Sequence, residues 1–203
     1  MRLAFIGEGS SDLLLVPAIR WSVNRLRPEQ ACEVVPMDFR GMPVPPDGLP
    51  ERISLTLAMG EWDAILIHRD SDSLDAEPRH REIALARWAA TSPAPSVIPV
   101  VPVRMTEAWL LFDEHAIRSA AGNSASTVEL ALPTVKECAR REKPKVILHD
   151  ALKRASGAKG RRLAKFNVES RCHALALAIS DWSPLLAMTS FVRLQDDLDK
   201  GLP

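Results

Sequence analysis

Asp63 to Asp72 read DAILIHRDSD, an apolar run that breaks off into charge, and this stretch decides the fold. Ala64 to Ile67 are consecutive apolar residues, as expected of a strand buried on both faces in a parallel sheet. The polar loop HRDSDSLDAEP follows, then a predicted helix from Pro78 to Ala90 carrying Ile83, Leu85 and Trp88. Toward the N-terminus, Leu3 to Ile6 is a second apolar run, ended by Gly-Glu-Gly. There Ser10 or Ser11 can cap a helix over Asp12–Arg27, in which Pro17 is tolerable only early. Glu33–Phe39 reads as a strand despite Pro36, Gly41–Pro50 as a loop, and Glu51–Met59 as a helix. On the other side, Ser96–Val103 reads as a fourth strand whose Pro99 and Pro102 indicate an edge or a bulge. Thr106 then caps a helix beginning EAWLLFD. Strands alternating with helices imply crossover units, hence an α/β fold: a Rossmannoid, mainly parallel sheet of about four strands flanked by helices.

Beyond residue 122 no stretch reads as a strand. Val135–Glu142, Val146–Ala155, Val168–Ile179 (capped by Asn167) and Ser190–Leu198 read as helices. The chain therefore divides into an α/β domain, residues 1–122, and a helical C-terminal extension, residues 123–203, packed on it. Its 203 residues suit one domain with such an extension, and 46% hydrophobic against 26% charged residues is a globular composition. Cys32, Cys138 and Cys172 are odd in number and widely spaced, which fits neither a disulfide framework nor a structural zinc site. With no signal-peptide core and no apolar stretch long enough to span a bilayer, a soluble, cytoplasmic protein away from membranes is expected.

Carboxylates gather just past the predicted strands: Glu8 after the first, Asp70 and Asp72 after the third, Glu107 after the fourth. In a parallel sheet the carboxyl ends of the strands share one edge, where ligands bind, so acids far apart in sequence can meet. Two aspartates at i and i+2 in extended chain point to one side and can face one hard cation. Magnesium suits such all-oxygen donors, and paired metals serve phosphoryl chemistry. Plainer roles stand beside these. Asp-x-Asp is commonly a solvated turn. Gly-Glu-Gly-Ser-Ser is equally a strand-to-helix turn or a loop whose amides hold a phosphate, though without the Gly-Lys-Ser/Thr of a P-loop. Glu107 and Asp12 also suit the first turn of a helix.

Glu8-Gly9-x-x-Asp12 after the first strand, with Asp70-Ser71-Asp72 after the third, resembles the TOPRIM metal-binding pattern of topoisomerases, bacterial primases, ribosomal-RNA maturases and OLD-type nucleases. GEGSSDLLLVPAIRW, HRDSD, MTEAWLLFD, the Lys-Pro-Lys at 143–145 and SPLLAMTSFVRLQDDL together resemble the TOPRIM-like bacterial family numbered 4276 among domains of unknown function, over nearly the whole chain. The resemblance implies Glu8 as acid/base or metal ligand, Asp70 and Asp72 as principal ligands, Asp12 and Glu107 completing a second position, and Mg2+ or Mn2+ as one or two ions. It also makes Lys145 the lysine expected nearest the catalytic acids. Two departures concern loop geometry: Ser73-Leu74-Asp75 where glycine commonly follows the aspartates, and Asp12 where related sequences often carry glutamate.

TOPRIM sites serve strand passage, primer synthesis and hydrolysis, and composition discriminates among these. The chain has no tyrosine, which removes the tyrosyl transesterification of topoisomerases. It has no zinc module for a primase. Hydrolysis needs only metal, water and a scissile phosphate. Net charge is zero by cancellation: residues 136–172 hold twelve Lys/Arg against four Asp/Glu, and residues 1–135 hold twelve against eighteen. A basic arm beside an acidic edge suits a phosphodiester substrate, with Lys143, Lys153, Arg154, Lys159, Arg161, Arg162 and Lys165 as contacts to DNA or RNA, although such runs are commonly just solvated helix faces. The expectation is a metal-dependent nuclease, with an ATPase partner in bacterial defence implied by the resemblance. Alternatives are a non-catalytic docking or sensor subunit of an ATPase complex and a phosphohydrolase of small nucleotides.

Overall fold

The computed structural model describes residues 1–90 and 95–203. Strands β1 (Arg2–Ile6), β2 (Glu33–Pro36), β3 (Ala64–His68) and β4 (Ser96–Val100) form one sheet in the order β2-β1-β3-β4. Every pair is parallel, with Leu3 opposite Val34 and Ala64, and Ile67 opposite Pro99. The fold is therefore α/β, as the alternation of patterns implied. β2 and β4 are shorter than the Glu33–Phe39 and Ser96–Val103 expected, and both edge strands carry a proline, Pro36 and Pro99, where only one neighbour must be bonded.

Alternate residues of each strand pack on opposite faces. Leu3, Phe5, Leu66, Ile98 and Val100 share a core with α1 (Val16–Leu26) and with residues from the C-terminal half. Ala4, Ile6, Ile65 and Ile67 pack instead on Ile53 of α2 (Leu49–Ala58) and Ile83 of α3 (Glu77–Ala89). β3 is buried along its whole length, which is why its sequence is a continuous apolar run.

The helix expected over Asp12–Arg27 is two elements. Ser10–Leu15 forms a tight 3-10 turn, and α1 starts at Val16 with Pro17 in its first turn, where the missing amide would have had no partner. The helix expected from Thr106 is likewise a 3-10 turn, Thr106–Leu110, followed by α4 (Glu114–Ala120), whose Asp113 cap accepts from the Ala116 amide at 2.8 Å.

In the extension, α5 (Val135–Cys138) is a single turn, shorter than expected, α6 (Pro144–Ser156) ends at left-handed Gly157, and α7 (Gly160–Ala164) had no signal in the sequence. α8 (Val168–Ala178) starts at Asn167, whose side chain accepts from Ser170, and α9 (Thr189–Gly201) follows a 3-10 turn at Ser183–Ala187. α8 packs on the turn Ser10–Leu15, α6 on the turn Thr106–Leu110, and α9 along β4. Trp109 meets Phe191 edge-on with ring centroids 5.1 Å apart, and Gln195 donates to Ser22 at 2.6 Å, tying α9 to α1. The extension thus completes the core of the sheet. All three cysteines are free, and no helix among the described residues is long and apolar enough to cross a membrane.

Candidate functional site

The chain switches direction between β1 and β3: β2 is laid on one side of β1, whereas β3 and β4 extend on the other. The crevice outside the carboxyl ends of β1 and β3 is where an open parallel sheet binds ligands. Glu8 leaves the end of β1 and Asp70 the end of β3, and they meet there, with the Asp70 amide donating to Glu8 Oε2 at 3.3 Å.

Asp12 is buried beneath this loop. Its Oδ2 accepts from the amides of Glu8 at 2.5 Å and Gly9 at 2.9 Å, so these loop amides turn inward onto a carboxylate rather than outward to a phosphate. Gly7 makes room for it: a Cβ there would stand 2.8 Å from Asp12 Oδ2. Asp70 Oδ1 accepts from the Thr106 amide at 2.8 Å and its hydroxyl at 3.2 Å, which moors the end of β3 to the turn after β4. Between Asp12 and Asp70 lies His68, fully buried, with Nε2 3.7 Å from Asp12 Oδ1 and 3.5 Å from Asp70 Oδ1. Its Nδ1 stands 2.9 Å from the Val100 carbonyl, and a carbonyl only accepts, so Nδ1 carries a proton.

Glu107 is 5% exposed, and its Oε2 is enclosed with no hydrogen-bond donor among the described residues. Its Oε1 lies 3.9 Å from Lys145 Nζ, which α6 delivers from its first turn and which stands equally far from Glu169 Oε1. Burial pushes the Asp70 carboxyl up to about 6; Glu107 and Asp12 add to the rise, while His68 and Thr106 oppose it. Asp12 and Asp70 thus flank His68, and Lys145 stands beside Glu107.

Asp72 is elsewhere. Its φ is +55°, so the extended geometry that would have aimed it alongside Asp70 does not apply, and the exposed carboxylate pairs with Arg79 at 3.0 Å. The loops after β3 and β4 continue the ladder past the sheet, the Ser71 amide bonding Pro102 O and the Asp72 amide Arg104 O. Arg104 is left-handed as well, so the two loops turn away together. Arg79 also donates to the Asp70 carbonyl at 3.0 Å and to Glu82 at 2.9 Å, and Arg69 joins Glu82 to Glu8 at 2.9 and 3.3 Å. Arg69, Arg79, Glu82 and Thr106 were not singled out from sequence as members of the site. Arg69 adjoins Asp70, and Thr106 precedes Glu107, so adjacency was the only signal.

As donors, Asp12, Asp70 and Glu107 fit a hard divalent cation in chemistry: all are carboxylates, and one oxygen is buried without a partner. Among the described residues no three His, Cys, Asp or Glu side chains stand close enough to hold an ion as they are, so a cation would have to draw them together. The basic residues of the arm are exposed. Lys143, Lys153, Lys159, Arg161, Arg162 and Lys165 form no ion pair among the described residues, and Arg154 donates to the Glu129 carbonyl at 2.5 Å. α7, which carries Arg161 and Arg162, buries no residue at all. No protein-family model, curated protein or solved structure matches the chain, so its chemistry has to be read from these side chains.

Proposed function

We propose that this chain is a metal-dependent nuclease hydrolysing phosphodiester bonds of DNA or RNA with Mg2+ or Mn2+. The observation that carries the proposal is the Glu107 Oε2, buried and without a partner among the described residues, at the switch point of the sheet where Asp12 and Asp70 flank His68. A divalent cation held by these carboxylates would polarise a phosphoryl oxygen and acidify a water. The chain's own groups supply the rest. Glu8, 43% exposed at the rim, is positioned to take a proton from an attacking water. Lys145 brings a positive charge beside Glu107, where it can steady a phosphate. Thr106 and His68 hold Asp70 in place, and Arg69 does the same for Glu8. The exposed cations of residues 143–165 would neutralise phosphates flanking the scissile one. An ATPase partner is part of the proposal through the resemblance to TOPRIM-like proteins of bacterial defence.

Two measurements on the full chain test this. Calorimetric titration with Mn2+ should give binding that Asp70→Ala and Glu107→Gln each abolish. Incubation of single- and double-stranded DNA and RNA with Mg2+ or Mn2+, with and without an ATPase encoded beside it, should give cleavage that both variants lose. Absence of Mn2+ binding, or cleavage that persists in both variants, rules the proposal out. Metal binding with no cleavage of any polymer would favour the docking subunit, and cleavage of free nucleotides alone the small-nucleotide phosphohydrolase.

A further inference from the structure

Beside Glu8, on the side away from Asp70, a cleft of about 160 Å3 opens outside the carboxyl ends of β1 and β2. Its walls are apolar where Leu13, Met37 and Phe39 line it, and polar where Ser10 and Arg52 do. Arg52 enters from α2 and donates through one terminal nitrogen to the Gly7 carbonyl at 3.2 Å. Its Nε is enclosed, and among the described residues it has no acceptor and the side chain makes no ion pair. An enclosed N–H without a partner is rare in a folded protein, but Nε is not itself open to the cleft, which the guanidinium meets through its terminal nitrogens. The neighbouring charges are already matched: Asp38 is gripped by Arg40 through two bonds of 2.8 Å, and Glu8 by Arg69. Arg52 is therefore the unbalanced charge of the cleft, a positive one, and Glu8 lines the same cleft.

We propose that this cleft is a subsite for one unpaired nucleotide of the substrate strand, with its phosphate on Arg52 and Ser10 and its sugar and base against Leu13, Met37 and Phe39. The proposal rests on the nuclease reading for the word substrate, but the cleft's chemistry does not depend on the acids. Guanidinium is the side chain suited to a phosphate's paired oxygens. The volume is well below the roughly 300 Å3 at which drug-sized sites begin, so the cleft accepts a single unit and no duplex. The preferred substrate is accordingly a single strand, or a strand with an unpaired nucleotide beside the cut.

The test is binding of thymidine 5′-monophosphate, thymidine and inorganic phosphate to the full chain in EDTA, followed by amide chemical shifts in two-dimensional NMR. The monophosphate should shift the amides of residues 7–13 and 37–40 and bind at least about tenfold more tightly than thymidine, since a charge-assisted phosphate contact is among the stronger polar ones. Arg52→Gln should remove that preference, and Arg52→Lys should restore part of it. Leu13→Trp, at a position 40% exposed and so tolerant of a larger side chain, should block the monophosphate while leaving phosphate binding intact. Asp70→Asn should bind all three as the wild type does, which separates failure of this subsite from failure of the metal site. Equal binding of monophosphate and thymidine, unchanged preference in a folded Arg52→Gln, or shifts confined to residues outside the cleft would overturn the proposal.

Discussion

Asp70 is held in place by neighbours that disagree about its charge. The Thr106 amide and hydroxyl favour the carboxylate, whereas burial beside Glu107 and Asp12 favours the acid, and burial prevails at about 6. An unfolded aspartate titrates near 3.8, so between roughly pH 4 and pH 6 the folded chain keeps a proton that the unfolded chain has lost. Stability therefore falls as pH rises through 6, and above it the full cost of the buried charge is present. At about 1.4 kcal/mol per pH unit this gap comes to roughly 3 kcal/mol. Asp70→Asn, which keeps the acceptor for Thr106, should be more stable than wild type by up to that amount at pH 8 in EDTA, and equal to it near pH 4. Thermal unfolding at the two pH values measures this, and an Asn variant no more stable at pH 8 would show that the carboxylate carries no such burden. The positions of Glu8, Asp70 and Glu107 were legible in the sequence because the carboxyl ends of parallel strands must share an edge. The direction of Asp72 was not: it turns on a left-handed φ, and nothing in Asp-Ser-Asp distinguishes that from extended chain.

At the scale of elements, two of the differences from expectation are short 3-10 turns. The helices expected over Asp12–Arg27 and from Thr106 begin instead as 3-10 turns, Ser10–Leu15 and Thr106–Leu110, each too short to become an α-helix. Both lie beside a bound carboxylate: Asp12, inside the first turn, is held by the amides of Glu8 and Gly9 just before it, and Thr106, which opens the second, holds Asp70. α7 is the opposite case, an element with no buried side chain, which apolar periodicity could not have revealed. Reversing its charges should therefore cost little stability. Lys159→Glu, Arg161→Glu, Arg162→Glu and Lys165→Glu combined should leave the thermal midpoint within a few degrees of wild type. If these cations meet phosphates, the same variant should weaken nucleic-acid binding and flatten its dependence on log salt by about 0.7 per lost contact to single strands. An unchanged salt slope would remove α7 from the interface.

For the molecule as a whole, the boundary at residue 122 separates sequence patterns but not cores. Leu3, Phe5 and Val100 of the sheet share one cluster with Leu148, Leu175, Phe191 and Leu198 of the extension, and Arg27 reaches across to Asp199. The sequence patterns identified each half, whereas their shared core depends on contacts between residues far apart in the chain, such as Trp21 and Trp109 with Phe191, which periodicity does not register. Residues 1–122 alone should fail to fold cooperatively, and the full chain should unfold in one transition followed equally by tryptophan fluorescence and circular dichroism. Phe191→Ala, emptying the space beneath Trp109, should cost about 3–5 kcal/mol. Two separate transitions would instead restore the division into domain and extension. The placement of α9 along β4 also bears on how the protein is made. The last strand is complete at Val100, but the apolar face it shares with β1 and β3 is not closed until Phe191, Leu194 and Leu198 arrive. At a synthesis rate of about 5–20 residues per second, that face waits roughly 5–20 s on the ribosome. During that interval the nascent chain offers a sheet face covered only in part, by α1, to chaperones and to its neighbours on the same messenger.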